Sequence, residues 1–273
     1  LFFDLDNTLW DFDHNSRIVL GSIFEKFQLK KKGISSKKKF INTYKKVNGK
    51  LWFQYREGVL TKQILRNKRF IQTLEILNIQ DEKLSKKIGD FYISNSPYQT
   101  KLMPGAKDIL FNLSLHYNLH VITNGFKEVQ FIKLKNSGIY GFFDKVIVSE
   151  DVGVLKPHQK IFDYALEICS ARKDESLMIG DDMISDVKGA RDSGIDQVFF
   201  NYKCVNNNTL KSTYIISYLK TGLIALCIFL RHLPNNIPIS LLNIKISKFH
   251  DFWIFNKAHR APWSVNKAPW DCQ

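Results

Sequence analysis

Two aspartates near the start of the chain have the spacing of a catalytic pair. Asp4 and Asp6 follow the apolar run Leu1-Phe2-Phe3 and precede a polar turn. An apolar run that ends in polar residues is typical of a buried strand with functional side chains at its carboxyl end. Two carboxylates so close repel each other, and a Mg²⁺ ion bound by carboxylates and a phosphate would compensate that charge. Two solvated aspartates in a turn would show the same spacing, so the rest of the chain must decide.

Three further apolar runs also end in residues that could do chemistry. The runs 119–122, 145–148 and 177–179 lead into Thr123-Asn124-Gly125, a loop that reaches Lys156, and Gly180-Asp181-Asp182 with Asp186 beyond. Each reads as strand, loop and helix, so four loops would meet at one edge of a parallel sheet. Together they offer what phosphoryl transfer through an aspartyl-phosphate requires: a nucleophile, an acid/base, metal ligands and positive charge.

The four motifs together resemble a known superfamily. The segments DLDNTL, TNG, the lysine of KP and GDDMISD occur in the order of the four motifs of the haloacid dehalogenase (HAD) superfamily of phosphatases. The resemblance covers roughly residues 1–220. Three longer segments are similar to the pyrimidine-type 5′-nucleotidase branch, described as house-cleaning nucleotidases of non-standard nucleotides: TLWDFDHNS, TNGFKEVQ and VSEDVGVLKPHQKIFDYAL.

The resemblance implies a catalytic role for each matching residue. Asp4 would be the nucleophile that takes up the phosphoryl group. Asp6 would protonate the leaving oxygen and then deprotonate the attacking water. Thr123, with the backbone amide of Asn124, would hold a phosphoryl oxygen. Lys156 would pair with Asp4 and with the transferring phosphate.

The resemblance also implies a Mg²⁺ site. Asp181 would ligate the metal alongside Asp4 and the backbone carbonyl of Asp6. Asp186 would support the metal shell. Asp182 directly follows a ligand and is interpreted instead as a residue of the first helical turn.

The pattern of elements predicts two domains. Residues 99–220 alternate helices and strands, which with residues 1–13 predicts a HAD core domain of the α/β class, a doubly wound parallel sheet. Residues 14–98 show helical periodicity in four segments, 16–27, 37–51, 61–77 and 81–94. We expect an all-helical cap domain inserted between the first two motifs, which closes over the mouth of the site and contacts the substrate.

Four residues are candidates for substrate contact. Trp10 and Phe12 follow the first motif directly and should lie near the cleft. In the predicted cap, Trp52 could stack on a base and Arg56 could meet a phosphate or carbonyl. A helix-packing cluster would show the same composition, so both interpretations remain open for the cap residues.

The net charge is concentrated in the predicted cap. Residues 14–98 hold 19 Lys and Arg against 6 Asp and Glu, so this segment has +13 of the chain's net +14. This charge could attract an anionic substrate, or it could be an ordinary solvated lysine-rich surface. No nucleic-acid-binding module is recognised, so we expect a small phosphomonoester, and no nucleic acid, as partner. The sequence leaves the oligomeric state open.

The ends of the chain fit the pattern less well. Only three residues precede Asp4, so we expect a few amino-terminal residues to be missing. Residues 221–273 are expected to form an atypical tail, disordered or read out of frame, because their one apolar run of about ten residues is too short to cross a bilayer. We therefore expect no stable membrane insertion. The four cysteines form no CxxC pair and are expected to be the reduced thiols of a cytoplasmic protein.

Together these features predict an enzyme. We expect a Mg²⁺-dependent phosphomonoesterase acting through an aspartyl-phosphate, specifically a nucleoside 5′-monophosphate phosphatase preferring pyrimidines. A sugar-phosphate or other small-metabolite phosphatase would share every core motif. A haloacid dehalogenase needs no acid/base two residues after its nucleophile, so Asp6 argues against that activity. A degenerate, non-catalytic binding protein of the same fold is the alternative from another class.

Overall fold

The computed structural model describes residues 1–204 and 212–219. The chain folds into two compact units. The core unit contains Leu1–Trp10, Leu102–Lys127 and the described residues from Ile139 onward, and the helical unit contains Asp11–Lys101 and Glu128–Gly138. The helical unit thus includes residues 128–138, which the sequence interpretation assigned to the core domain. The predicted domain bounds stay a prediction. The predicted tail, 221–273, lies outside the described residues.

The core unit is built on a six-stranded sheet in the order β3-β2-β1-β4-β5-β6. All five strand pairings are parallel. The strands are β1 (Phe2–Phe3), β2 (His120–Thr123), β3 (Lys145–Val148), β4 (Leu177–Gly180), β5 (Asp196–Phe200) and β6 (Tyr214–Ile216). The strand formed by the first motif's apolar run is therefore central, and the carboxyl ends of β1, β2 and β4 lie side by side.

Helices connect these strands. Within the core unit they are α5 (Ala106–Ser114), α7 (Ser149–Val152), α8 (Gln159–Ile168) and α9 (Gly189–Asp192), with 3₁₀ turns at Tyr140–Phe142 and Lys173–Glu175. A π-helical segment, Met183–Lys188, precedes α9. The predicted doubly wound α/β fold is confirmed. The helix expected after the fourth motif begins with this wider π-helical turn and only then continues as α9.

The core of this unit packs against one face of the sheet. A cluster of buried apolar residues joins strands β1 to β4 to the helices α8 and α9: Phe2, Ile122, Ile147, Ile161, Phe162, Ala165, Met178 and Ala190. A Cβ on Gly189 would lie 2.7 Å from the Phe162 ring and 2.8 Å from the Pro157 backbone. A glycine is therefore needed for this close approach between α8 and α9.

The helical unit contains α1 (Phe12–Lys26), α2 (Lys37–Arg56), α3 (Lys62–Ile76), α4 (Glu82–Asn95) and nearly all of α6 (Lys127–Asn136). The side chains of Asp11, Ser36, Thr61 and Asp81 accept hydrogen bonds from backbone N–H groups in the first turns of α1 to α4. Such caps satisfy donors that a helix start leaves without partners. α2 runs to Arg56 rather than ending at residue 51, so Trp52 and Arg56 lie one turn apart on the same helix.

The four long helices bury a shared apolar core. Its members include Leu20, Ile23, Phe24, Phe40, Tyr44, Phe70, Leu74, Ile88 and Tyr92. Glu128 on α6 forms ion pairs with Lys62 and Arg66 on α3. This double contact ties α6 to the helical unit.

Two other expectations can be compared with the described residues. No helix in residues 1–204 and 212–219 has both the length and the apolar character that crossing a membrane requires. Cys169 is a free thiol, whereas Cys204 is disulfide-bonded. The expectation of reduced thiols therefore holds for Cys169 and is wrong for Cys204.

Candidate active site

The first motif forms a tight loop at the end of the central strand. The backbone N–H of Asp4 donates to the carbonyl of Ile179, which extends the pairing of β1 with β4 by one residue. The chain then turns back, because the N–H of Trp10 donates to the carbonyl of Leu5 at 2.8 Å and Asn7 has a φ of 64°. Asp4 is buried at the strand end, whereas Asp6 lies in this loop and is partly exposed.

The second motif contributes a side chain that binds the backbone of Lys156. The Asn124 amide donates to the Lys156 carbonyl at 2.9 Å, and its Oδ1 accepts from the Lys156 N–H at 2.8 Å. One residue earlier, the Thr123 hydroxyl accepts from the N–H of Gly125 at 3.1 Å. The family resemblance implies a role for the Asn124 backbone amide alone, and the structure adds this two-point contact by the side chain.

Lys156 is buried among oxygen atoms. Its Nζ lies 2.7 Å from Asp4 Oδ1, 2.7 Å from Asp186 Oδ1 and 2.6 Å from the Ile122 carbonyl oxygen. Only 1% of the residue is exposed. The ammonium group therefore connects the first, third and fourth motifs directly.

The fourth motif brings two further carboxylates to Asp4. Carboxylate oxygens of Asp4, Asp181 and Asp186 all lie within 4.8 Å of one another. The buried Thr8 hydroxyl donates to Asp181 Oδ1 at 3.2 Å. Asp181 is partly exposed, whereas the other two carboxylates are buried.

The turn after β4 orients Asp186. Asp186 Oδ2 accepts from the N–H of Asp182 at 3.0 Å, and the Asp182 side chain accepts from the N–H groups of Ile184 and Ser185. Asp182 thus caps the π-helical segment, in line with its interpretation as a helix-start residue rather than a ligand. A Cβ on Gly180 would lie 2.3 Å from Asp186 Oδ2, so only glycine leaves room for this carboxylate.

Burial has the largest effect on the pKa values of the groups in this cluster. Burial raises the pKa of Asp4 to about 7, while the Lys156 ammonium opposes the rise and Asp186 adds to it. Burial and the neighbouring Asp4 charge raise the pKa of Asp181 well above its usual range. For Lys156, burial lowers the pKa, but the Asp186 and Asp4 carboxylates outweigh it and the net change is upward.

The cluster fits a hard divalent cation. With all three carboxylates ionised, the cluster and the Lys156 ammonium would have a net charge of −2, which a divalent cation would balance. Carboxylate oxygens are the ligands that Mg²⁺ prefers. Asp4 and Asp181 each have an oxygen available for such an ion. Asp186 Oδ2 accepts from the Asp182 N–H, and Asp186 Oδ1 lies in ion-pair contact with Lys156 but has no hydrogen bond. The donor set therefore favours Asp4 and Asp181 as direct ligands and Asp186 as their support.

A cavity borders the cluster within the core unit. Its volume is about 240 Å³, and its lining includes the carboxylate-bearing turn and the residues that end and follow β5: Asp181, Asp182, Met183, Ile184, Phe199, Phe200, Asn201, Tyr202 and Lys203. Asp181 therefore connects the buried carboxylates to open space.

The predicted substrate residues are divided between the two units. Trp10 belongs to the core unit and is fully buried, at 0% exposure, so in this conformation its ring presents no face to a ligand. Phe12, Trp52 and Arg56 belong to the helical unit and are partly exposed. The Trp52 ring packs edge-on against Tyr55, with centroids 5.5 Å apart.

Sequence reasoning missed two residues that shape the site. Thr8 contacts Asp181 from the other end of the first motif, and Gly180 provides the space for Asp186. Both lie inside the recognised motifs, at positions 8 and 180. Their positions within DLDNTL and GDDMISD could have marked them as candidate site residues. Their contacts could not be predicted, because these depend on how the loops fold.

Comparison with known proteins identifies the family. A sequence model of the family named haloacid dehalogenase-like hydrolase matches residues 1–200. The chain belongs to this family. The predicted resemblance to HAD hydrolases is thereby confirmed.

Named relatives place the chain near two nucleotidases. Pyrimidine 5′-nucleotidase YjjG of Escherichia coli K12 is 33% identical over 202 residues, 74% of this chain and 85% of that protein. Pyrimidine 5′-nucleotidase PynA of Streptococcus pneumoniae R6 is 30% identical over 211 residues, 77% of this chain and 86% of that one. Both agree with the predicted resemblance to the nucleotidase branch.

A solved structure shares the arrangement of elements. The putative HAD-hydrolase YfnB from Bacillus subtilis, in a crystal form bound to magnesium, is similar with a TM-score of 0.73 and 29% sequence identity. The match covers 83% of this chain and 96% of that one. The likeness extends over almost the whole of the known structure.

Proposed function

We propose that this HAD hydrolase is a Mg²⁺-dependent phosphomonoesterase that acts on nucleoside 5′-monophosphates and prefers pyrimidines. The observation that carries the proposal is the contact of buried Lys156 with Asp4, beside the carboxylates of Asp181 and Asp186. That arrangement combines a nucleophile, a fixed positive charge and metal ligands in the core unit. The two named pyrimidine nucleotidases support the substrate class.

The first step forms a covalent intermediate. An Asp4 carboxylate oxygen attacks phosphorus, the bond from phosphorus to the ester oxygen breaks, and an aspartyl-phosphate results. Asp6, two residues further along the loop, donates a proton to the departing nucleoside oxygen. Lys156 remains beside Asp4 and balances negative charge on the phosphoryl oxygens.

The second step returns the enzyme to its starting state. Asp6, now a carboxylate, accepts a proton from water as that water attacks phosphorus. The bond from phosphorus to Asp4 breaks, and inorganic phosphate leaves. The Thr123 hydroxyl and the Asn124 N–H hold a phosphoryl oxygen during both steps, while the Asn124 side chain fixes the backbone of Lys156.

The metal site would be held by residues of two motifs. Asp4, Asp181 and the carbonyl of Asp6 would bind Mg²⁺, and Asp186 would support them through its contacts with Lys156 and the Asp182 N–H. The bound ion would neutralise the excess negative charge of the cluster and of the substrate. Thr8 holds the Asp181 carboxylate in place.

A substrate panel tests the proposal. The full chain would be assayed with Mg²⁺ on uridine 5′-monophosphate, guanosine 5′-monophosphate, glucose 6-phosphate and p-nitrophenyl phosphate, measuring kcat/KM by phosphate release. We expect hydrolysis of all four, with the pyrimidine nucleotide fastest. Excess EDTA should abolish activity, and Mg²⁺ should restore it more fully than Ca²⁺, which favours higher coordination numbers.

Two results would contradict different parts of the proposal. Activity that persists in EDTA would rule out the metal-dependent mechanism. A higher kcat/KM on glucose 6-phosphate than on uridine 5′-monophosphate would reassign the enzyme to sugar phosphates and leave the phosphatase mechanism in place.

A further inference from the structure

The cavity in the core unit touches one side of the candidate active site. Of the described residues that line it, Asp181 is the one that belongs to the three-carboxylate cluster. The described lining does not include Asp6, Thr123 or Lys156, which the proposed mechanism places around the departing oxygen and the phosphoryl group. The cavity therefore lies on the side of the metal ligand Asp181, and not where the leaving nucleoside would be.

Two loops of the core unit form the walls of this cavity. One is the turn after β4, from Asp181 to Ile184, and the other is formed by residues 199–203 at the end of β5. β4 and β5 pair in parallel, with Gly180 opposite Phe199, so the two loops leave the sheet side by side. Ile184 is 50% exposed and Lys203 is also exposed. The cavity therefore extends from the Asp181 carboxylate to the protein surface.

The size of the cavity fits a hydrated cation better than a nucleotide. A water molecule in the liquid occupies about 30 Å³, so the volume of about 240 Å³ corresponds to roughly eight waters. Sites for drug-sized ligands are larger, at roughly 300–1,000 Å³. Mg²⁺ loses its waters reluctantly and keeps several of them when carboxylates bind it. The side chains of Asp182, Asn201 and Tyr202 give such waters polar partners along the walls.

The described lining has one basic residue, Lys203. Its Nζ lies 4.9 Å from the centroid of the neighbouring Tyr202 ring, so a cation–π contact holds the ammonium group at the wall. A positive charge in this position repels a divalent cation that moves through the cavity. Because Lys203 is exposed, salt should weaken that repulsion.

We propose that this cavity is the route by which a divalent cation reaches and leaves Asp181, with Ile184 at its mouth and Lys203 opposing passage. The inference rests on the metal dependence in the proposed function. It adds residues that control the rate of metal exchange without contact with the phosphate ester.

The test measures metal exchange in the full chain, with Mn²⁺ as the probe, because Mn²⁺ and Mg²⁺ both favour carboxylate and water oxygens. Protein loaded with Mn²⁺ is mixed with a large excess of Mg²⁺, and the rising electron paramagnetic resonance signal of free Mn²⁺ gives the dissociation rate constant. Mixing metal-free protein with Mn²⁺ gives the association rate constant. Titration with Mn²⁺ gives the Kd.

Ile184→Trp adds bulk at the mouth of the cavity. We expect both rate constants to fall by about tenfold and the Kd to stay within about twofold of the wild type, because a narrower route slows entry and exit equally. Asn201→Trp adds the same ring from the opposite wall and should act in the same direction. The backbone N–H of Asn201 donates to the Ile216 carbonyl, and this bond is kept in the variant.

Two further variants separate bulk from charge. Leu115→Trp is the matched control for bulk, since Leu115 is a 62% exposed apolar residue of the core unit that does not line the cavity. Its rate constants should equal those of the wild type. Lys203→Met should raise the association rate constant by about threefold at low ionic strength, and the difference should shrink as salt is added.

The outcomes distinguish this inference from the proposed function. Unchanged rate constants in both Ile184→Trp and Asn201→Trp would overturn the inference, because the cation would then reach Asp181 by another path. A weaker Kd with an unchanged association rate constant in both variants would also overturn it, since the substitutions would then act on the metal site itself. Mg²⁺-dependent phosphatase activity could still be found in either case. Slower Mn²⁺ exchange in both variants of a protein without phosphatase activity would overturn the proposed function alone.

Discussion

The two units differ in the groups that surround their buried positive charge. In the core unit, Lys156 contacts two carboxylates and a backbone carbonyl. In the helical unit, Arg69 is almost as buried, yet it contacts an aromatic ring and no carboxylate of the described chain. A buried charge whose partners are in place can stabilise developing charge without reorganisation. The Arg69 charge lies instead beside the Tyr44 hydroxyl and the Tyr92 ring.

This difference suggests a division of work between the units. The core unit has the lysine and the carboxylate cluster that fits a metal ion. These groups do not distinguish one phosphate ester from another. Three of the side chains predicted to contact the substrate, Phe12, Trp52 and Arg56, belong to the helical unit. Substitutions in the core unit should therefore change activity on all substrates equally, and substitutions in the helical unit should change the preference among them.

The largest effect is expected for Asp4→Asn. The substitution removes the nucleophile from a group of residues that act together, so kcat should fall by about a thousandfold or more on every phosphate ester. The melting temperature without Mg²⁺ should stay equal or rise, because one of three repelling buried carboxylates is lost. Steady-state kinetics and thermal unfolding measure the two quantities. Near-normal turnover in a folded Asp4→Asn protein would exclude the covalent mechanism.

Sequence reasoning succeeded where a single strand or motif determines the position of a side chain. Asp4, Lys156 and Asp181 each follow an apolar run, and parallel strands necessarily bring their carboxyl ends to one edge. Local pattern therefore predicted the sheet and the loops that meet there. It did not show that Asp6 leaves the strand, because β1 ends at Phe3 and the loop folds back toward Trp10.

Sequence reasoning failed where a contact depends on tertiary packing. The burial of Trp10 could not be inferred, since proximity to a motif says nothing about which side the ring faces. The sequence interpretation ended α2 at residue 51, five residues too early. The helix ends at Arg56, and Gly58, with a φ of 71°, lies just beyond the C-cap residue. The burial of Arg69 could not be inferred either, because an arginine in a helix with several basic residues looks like a solvated residue until its burial is known.

The next largest effect is expected at Asn124. Asn124→Leu removes both hydrogen bonds to the Lys156 backbone and should lower kcat by about ten- to a hundredfold, because small displacements of a catalytic group are costly. Asn124→Asp keeps the acceptor for the Lys156 N–H and loses the donor, so it should retain more activity than the leucine variant. Kinetics on uridine 5′-monophosphate and p-nitrophenyl phosphate should show equal losses. A loss confined to the nucleotide would mean that Asn124 contacts the substrate's base or sugar.

The two tryptophans test the comparison between the units directly. Trp10→Leu removes a fully buried ring from the core unit and should lower the free energy of unfolding by about 3 kcal/mol, with equal kinetic effects on both substrates. Trp52→Leu should leave stability nearly unchanged and lower kcat/KM for uridine 5′-monophosphate by about tenfold, since stacking on a base contributes roughly 1–3 kcal/mol. Denaturant unfolding measures the stability of each variant, and kinetics on uridine 5′-monophosphate and p-nitrophenyl phosphate measure its activity. A nucleotide-specific loss in a well-folded Trp10→Leu variant would restore its predicted role in substrate binding.

The smallest effect on activity is expected at His120 on β2, where the predicted change is in the stability of the core unit. The residue is 5% exposed. Burial, helped by nearby positive charge and opposed by Asp144, lowers its pKa from 6.5 to about 4. The fold therefore favours the neutral imidazole. Its contribution is complete above pH 6.5 and is lost as the pH falls toward 4, by at most about 1.4 kcal/mol per pH unit.

His120→Leu isolates this contribution, because the variant keeps every other titratable group. Urea unfolding of both proteins from pH 7 to pH 4.5 gives the free energy of unfolding at each pH. We expect the wild type to lose up to roughly 2 to 3 kcal/mol more than the variant over this range, since each pKa unit corresponds to about 1.4 kcal/mol. The absolute stability of His120→Leu at pH 7 is not informative, because the substitution also alters packing against Phe2, whose ring centroid lies 5.3 Å from the imidazole. Parallel curves would show that the imidazole takes up its proton without opening the sheet, which would place the acid sensitivity of the core unit in its carboxylate cluster instead.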